Sequence, residues 1–170
     1  MATGFWNPTG SADDAWVIGG TGTRTTAVTA VDGINVNPVV SDDEASRIQT
    51  WNSSEAAPAD FAGSTITAVN LITTWLNASA ISIGGTFYPY CRRAGLTTKG
   101  TGAGSNGSGT TTLPRPGGGS WSPSDFTSSL YWGFKHDANA TTGGTVPKID
   151  KIQLRVTYTP LPATPPDRAT

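Results

Sequence analysis

The residues best suited to chemistry in this chain are few, and most are carboxylates. Asp13-Asp14, Asp42-Asp43-Glu44 and Asp60 stand in or beside turn-forming stretches. Clustered acids offer the hard oxygens that calcium takes, or the paired carboxyls of a glycosidase. Asp42, Asp43 and Asp60 are the calcium candidates, although no EF-hand spacing occurs. The competing role for such acids is to cap turns through local side-chain hydrogen bonds. His136 is the single histidine. No Gly-x-Ser-x-Gly elbow provides a nucleophile for it, and it reads as the start of a surface turn before Asp137. Cys91 stands beside Arg92 and Arg93, which favour a thiolate; a lone cysteine in a strand is otherwise a small buried apolar residue. One Cys excludes an internal disulfide framework. One His and one Cys are too few soft ligands for a structural zinc. Gly100–Gly109 lacks the Gly-Lys-Ser/Thr of a phosphate loop. The sites therefore point to a non-enzymatic protein with no cofactor. Trp6, Trp51 and Trp121 suit either sugar stacking or anchoring in a core or subunit interface. With Phe5, they are the interface candidates.

Composition narrows the field. The 170 residues suit one domain with short ends. Charged residues are 14% of the chain, with a formal net charge of −1, against about a quarter in ordinary domains. A nucleic-acid binder would show an excess of Lys and Arg. No apolar run approaches the ~18 residues of a membrane helix. The first residues lack the charged start and apolar stretch of a secretory signal, so the Asn-x-Ser/Thr matches read as chance. Six Trp, five Phe and four Tyr nevertheless supply enough apolar area for a core.

The elements that must position these residues read as strands. Residues 1–14 are expected to be an irregular arm, because Gly4, Pro8 and Gly10 interrupt them. Residues 15–159 form the folded domain. Trp16–Ile18 starts the first strand. Asp32-Gly33 is a hairpin signal between Thr25–Val31 and Ile34–Val40. Ser46–Trp51 is a short strand. Ser64–Asn77 carries apolar residues on both faces and reads as a central strand. Ile81–Arg93 is a strand pair or a bulged strand turning at Gly84-Gly85. Gly95–Gly119 reads as a flexible excursion, with a Gly/Ser-rich loop at 99–109. Ser122-Pro123-Ser124-Asp125 is a helix start, predicting a short helix near 123–130. Ile149–Tyr158 alternates, with Ile152, Leu154, Val156 and Tyr158 inward. Residues 160–170 form a Pro-rich tail. The sum is an all-β fold, an antiparallel β-sandwich or jelly roll.

Three segments carry a resemblance. They are Ser41–Trp51 followed by Ala59-Asp60-Phe61; Ser64-Thr65-Ile66-Thr67-Ala68-Val69-Asn70-Leu71; and Ser120–Phe126 through Trp132-Gly133-Phe134, closing with Ile152–Tyr158. Their order of double-Asp turn, Thr-Ile-x-Ala-Val strand, Trp-Ser helix start and alternating last strand resembles the single-domain structural proteins of tailed bacteriophages. The resemblance spans residues 15–159, and the loop at 99–109 departs from it. It implies a virion component made in the bacterial host cytoplasm: a capsid decoration (cement) protein, or a neck, tail or receptor-facing component. The implied partners are the major capsid protein and further copies of the chain, a trimer above all, with neither nucleic acid nor membrane. A carbohydrate-binding module of the same fold class is the competing non-viral reading.

Overall fold

The computed structural model describes residues 1–13, 16–19, 23, 25–29, 35–38, 47–76, 85–101, 109–138 and 148–162. Strands formed within these are β1 (Ala2–Trp6), β2 (Gly10–Ala12), β3 (Trp16–Gly19), β4 (Asn35–Pro38), β5 (Arg47–Asn52), β6 (Thr65–Leu76), β7 (Gly85–Arg93), β8 (Leu96–Lys99), β9 (Gly109–Thr112), β10 (Tyr131–Ala138) and β11 (Lys148–Thr159). They make two antiparallel sheets. One has the order β3-β4-β11-β6-β9, with β1 also paired to β11; the other is β2-β5-β10-β7-β8. The all-β, two-sheet architecture is the one the strand patterns predict.

The alternation in β11 decides its two faces. Ile152, Leu154, Val156 and Tyr158 are buried, while Lys151, Gln153, Arg155 and Thr157 are only half-buried. β11 pairs with β6 in a register that sets Leu154 beside Leu71 and Val156 beside Val69. β6 is central because β11 and β9 flank it. Its buried face is Val69, Leu71, Thr73 and Trp75; Ala68 and Ile72 on the other face are half-buried. The opposing sheet contributes Trp51, Cys91, Trp132 and Phe134, all buried. Trp75 meets Phe134 edge-on at 5.3 Å, joining the two sheets.

Several expectations are corrected. Of the expected irregular arm at 1–14, the described residues 1–13 are not irregular: Ala2–Trp6 pairs with β11, and Gly10–Ala12 pairs with β5. Within β1, Gly4 and Trp6 turn inward while Thr3 and Phe5 face out, a period-two pattern too short to stand out among the nearby Gly and Pro. In the run Thr25–Val31, the described residues 25–29 do not form a hairpin strand. Thr23 and Thr26 exchange side-chain-to-backbone hydrogen bonds. They start a 3-10 turn at Thr26–Val28 that buries Ala27 and Val28, and β4 pairs with β3 instead. Asp32-Gly33 and Gly84 lie outside the described residues. The Gly95–Gly119 stretch contains β8 and β9, which belong to different sheets; residues 102–108 lie outside the described part, as do residues 163–170 of the Pro-rich tail. The helix near 123–130 is a single 3-10 turn at Pro123–Asp125 with its capping box formed. It stops at Phe126, whose ring stacks on Trp6 and Trp121. His136 does not begin a surface turn; it lies within β10 and is 5% exposed.

Gly133 sits in β10 between Thr50 of β5 and Tyr90 of β7. A Cβ there would stand 2.1 Å from the Gln49 carbonyl oxygen and 2.9 Å from the Thr50 Cα. These are backbone atoms held in the ladder, so the strands must part to admit a methyl group. We expect Gly133→Ala to lower the unfolding free energy by about 1–3 kcal/mol, the usual cost of overpacking, read from denaturant titration.

Candidate interaction surfaces

Of the acids that the sequence offers for chemistry, the two that are described, Asp13 and Asp60, are engaged in holding loops. Asp60 accepts a hydrogen bond of 2.7 Å from the Tyr158 hydroxyl. Burial, and then this bond, push the Tyr158 phenol above its ordinary value. Asp42 and Asp43 lie outside the described residues, so the structure brings neither to Asp60. Among the described residues no three His, Cys, Asp or Glu side chains gather into a metal-sized group. Glu55 accepts from the Asn7 backbone N–H at 2.6 Å and from Asn7 Nδ2 at 3.0 Å. Asp13 has φ 54°, in the left-handed region that Asp tolerates. It takes the Arg92 Nε at 2.6 Å and the Thr50 hydroxyl at 2.7 Å.

Asp125, which the sequence marks only as a cap residue, is deeply held, with a side chain only 2% exposed. It closes the capping box by accepting from the Ser122 N–H at 2.9 Å. It also takes Arg115 Nε at 2.8 Å and a hydrogen bond from Arg93 Nη1. Arg93 ends β7, and Arg115 follows β9 of the other sheet. The carboxylate therefore ties the two sheets together at this end. Burial alone would raise its pKa, but the bonds from Arg115 and Ser122 and the charges of Arg115 and Arg93 outweigh that and hold it below its ordinary value. Cys91 is buried in β7, and desolvation pushes its thiol far above the usual range. Arg92 and Arg93 do not activate it, since both turn to carboxylates elsewhere.

The aromatic interface candidates divide by exposure. Trp51 is 0% exposed and Trp6 4%, so both are core residues that present almost no surface to a partner. Trp6, Phe61, Phe126 and Tyr158 form an edge-to-face and stacked cluster at one end of the sandwich. Trp121 is half-buried against Phe126, and its Nε1–H donates to the Leu113 carbonyl at 3.2 Å. Phe5 alone of the four is well exposed, at 52%. Beside the cluster lies a cleft of about 210 Å³, with Trp6, Trp132 and Leu154 beneath a rim of Ser53, Ser54, Glu55 and Thr127. Little of its indole area is available for a ligand to stack on, because Trp132 is only 1% exposed.

The outer faces of the two sheets remain. On the five-stranded sheet, β7 and β10 place Tyr88, Tyr90 and Tyr131 outward, three of the chain's four tyrosines. The Arg92 guanidinium lies 4.1 Å above the Tyr131 ring, and Lys99 Nζ lies 3.7 Å above the Tyr88 ring. Burial, then the Asp13 charge, raises the Tyr90 phenol. This face is closed on itself by its own cations. The spacing Tyr88-x-Tyr90 was a signal for part of it, but only the strand register adds Tyr131. On the six-stranded sheet, the register aligns Phe5 of β1, Arg155 of β11, Asn70 of β6 and Thr112 of β9. Nothing in the sequence marks these four as one row. Compared with protein-family models, curated proteins and solved structures, the chain matches none.

Two outcomes follow from the buried groups. A carboxylate with a depressed pKa stabilises the fold above its unfolded value, and that stability is lost as pH falls through the folded value. Replacing Asp125 by Asn should cost about 1.5–3 kcal/mol near neutrality. It should also flatten the loss of stability on acidification below the ordinary carboxylate range, measured by denaturation across pH. Cys91 should resist an aromatic disulfide reagent in the native protein and react at once after unfolding, read by released chromophore.

Proposed function

We propose that the chain is a non-enzymatic structural protein of a tailed-bacteriophage virion, a decoration protein that binds the assembled head as a homo-oligomer, with a trimer as the favoured state. The observation that carries this reading is the use made of reactive groups. Asp13, Glu55, Asp60 and Asp125 are each spent on a structural partner, and Cys91 is buried with its thiol protonated. Among the described residues, the outer faces carry small polar side chains together with Phe5, Tyr88, Tyr90, Tyr131 and Arg155, and aromatic and arginine side chains are the types that contact surfaces favour. The low charged fraction and the resemblance of residues 15–159 support the same reading. A protein that binds the assembled lattice and not its separated subunits stabilises that lattice by mass action.

The carbohydrate-binding alternative draws less support. The rings it would use are buried, as for Trp6 and Trp51, or covered by Lys99 and Arg92. A neck, tail or receptor-facing position differs from decoration in copy number. A protein repeating with the head lattice should be present at on the order of hundreds of copies per particle, counted by quantitative mass spectrometry of purified virions. Particles lacking it should release DNA at lower temperature. A few copies per particle would move the protein to the neck or tail, and its absence from virions would refute the proposal.

A further inference from the structure

The two outer faces differ in how their cations are balanced. On the five-stranded sheet Arg92 pairs with Asp13 and stacks on Tyr131. At the sandwich end, Arg93 and Arg115 share Asp125. Arg155, on the outer face of the six-stranded sheet, has no such carboxylate among the described residues, and its Nε is buried without a hydrogen-bond partner. The outward positions around it are Lys151, Gln153 and Thr157 on β11 and Ala68, Asn70, Ile72 and Thr74 on β6, none of them acidic. Glu55 enters only at one remove: Gln153 Nε2 donates to Asn7 Oδ1 at 2.7 Å, and Asn7 in turn holds Glu55. Phe5 faces Arg155 across the β1–β11 ladder. It is the one aromatic side chain among the described residues that stands as an exposed large hydrophobic group.

We infer that this face, centred on Phe5 and Arg155 with Lys151 at its flank, is the docking surface, and that its partner is a protein surface presenting a carboxylate beside an apolar patch. Aromatic and arginine side chains are both enriched at protein contacts, and arginine is among the residues that carry most of the binding energy there. A guanidinium already stripped of part of its water gains more from a carboxylate than a fully hydrated one does. The described residues supply no such carboxylate, so the partner does. Position fits as well. β1, β11 and β6 are the best-paired strands of their sheet, so the row is presented rigidly and little order is lost on contact. The inference rests on the decoration reading and specifies which face meets the head.

The test uses phage heads stripped of the protein and the full chain added back, with bound protein measured by sedimentation at two salt concentrations. Phe5→Ala and Arg155→Gln should each weaken binding about 30-fold or more, and Arg155→Gln should also reduce its salt dependence. Tyr131→Ala, on the other face, should bind within a few-fold of wild type. Arg155→Lys keeps the stem and charge but loses the planar fork. It should bind between wild type and Arg155→Gln, and it reads the same contact if the Gln variant fails to fold. Folded Phe5 and Arg155 variants that bind like wild type would overturn this inference and leave the decoration reading intact. Wild-type protein that binds no heads, or binds naked DNA instead, would overturn both.

Discussion

Everything in this sandwich hangs on the pairing of β11 with β6. Both strands run for 12 residues, and their register sets two apolar rows side by side. β11 also carries β1 and β4 along its other edge. Because side chains alternate with a period of two, sliding this pair by one residue would turn Leu154 and Val156 outward and Arg155 inward. The ladder thus decides at once what is core and what is presented. The opposing sheet needs only to lay Trp51, Trp132, Phe134 and Cys91 onto that row.

A chain so poor in charge spends its charges on joints. Asp125 ties a 3-10 turn, the end of β7 and the segment after β9 into one node. Asp13 fastens the segment after β2 to β5 and β7, and Asp60 secures the end of β11 through Tyr158. Each acid fixes a loop that lacks a ladder of its own. Groups so constrained make a rigid surface and are poorly placed to exchange protons with a substrate. The two outer faces differ in how their cations are held: Arg92 and Lys99 lie over tyrosine rings, and the Arg155 Nε is buried without a hydrogen-bond partner.

Much of the fold was legible in residue order. The alternation of Ile149–Tyr158, the double-faced apolar run of Ser64–Asn77 and the cap at Ser122–Asp125 are local patterns, and the structure follows them. Cys91 was legible as a buried residue of a strand. β1 was hidden because five residues containing one Gly carry too little periodicity to outweigh the glycines and proline around them. The place of His136 is not legible, because a polar triplet, Lys135-His136-Asp137, resembles a turn until its neighbours across the sheet are known. The candidate face was illegible: Phe5 was visible as an aromatic, but nothing linked it to Arg155.

The sequence by itself determined that this protein is all-β, that its core is aromatic, and that a capping box marks residues 122–125. Those properties follow from period, propensity and hydrogen bonds spanning a few residues. Tertiary structure alone decided that Trp6 and Trp51 go inside while Phe5 stays out, that Asp125 meets Arg93 and Arg115, and that Tyr131 joins Tyr88 and Tyr90. These depend on register between strands distant in the chain. That register is set by which rows of side chains can be buried together, a quantity no local stretch contains.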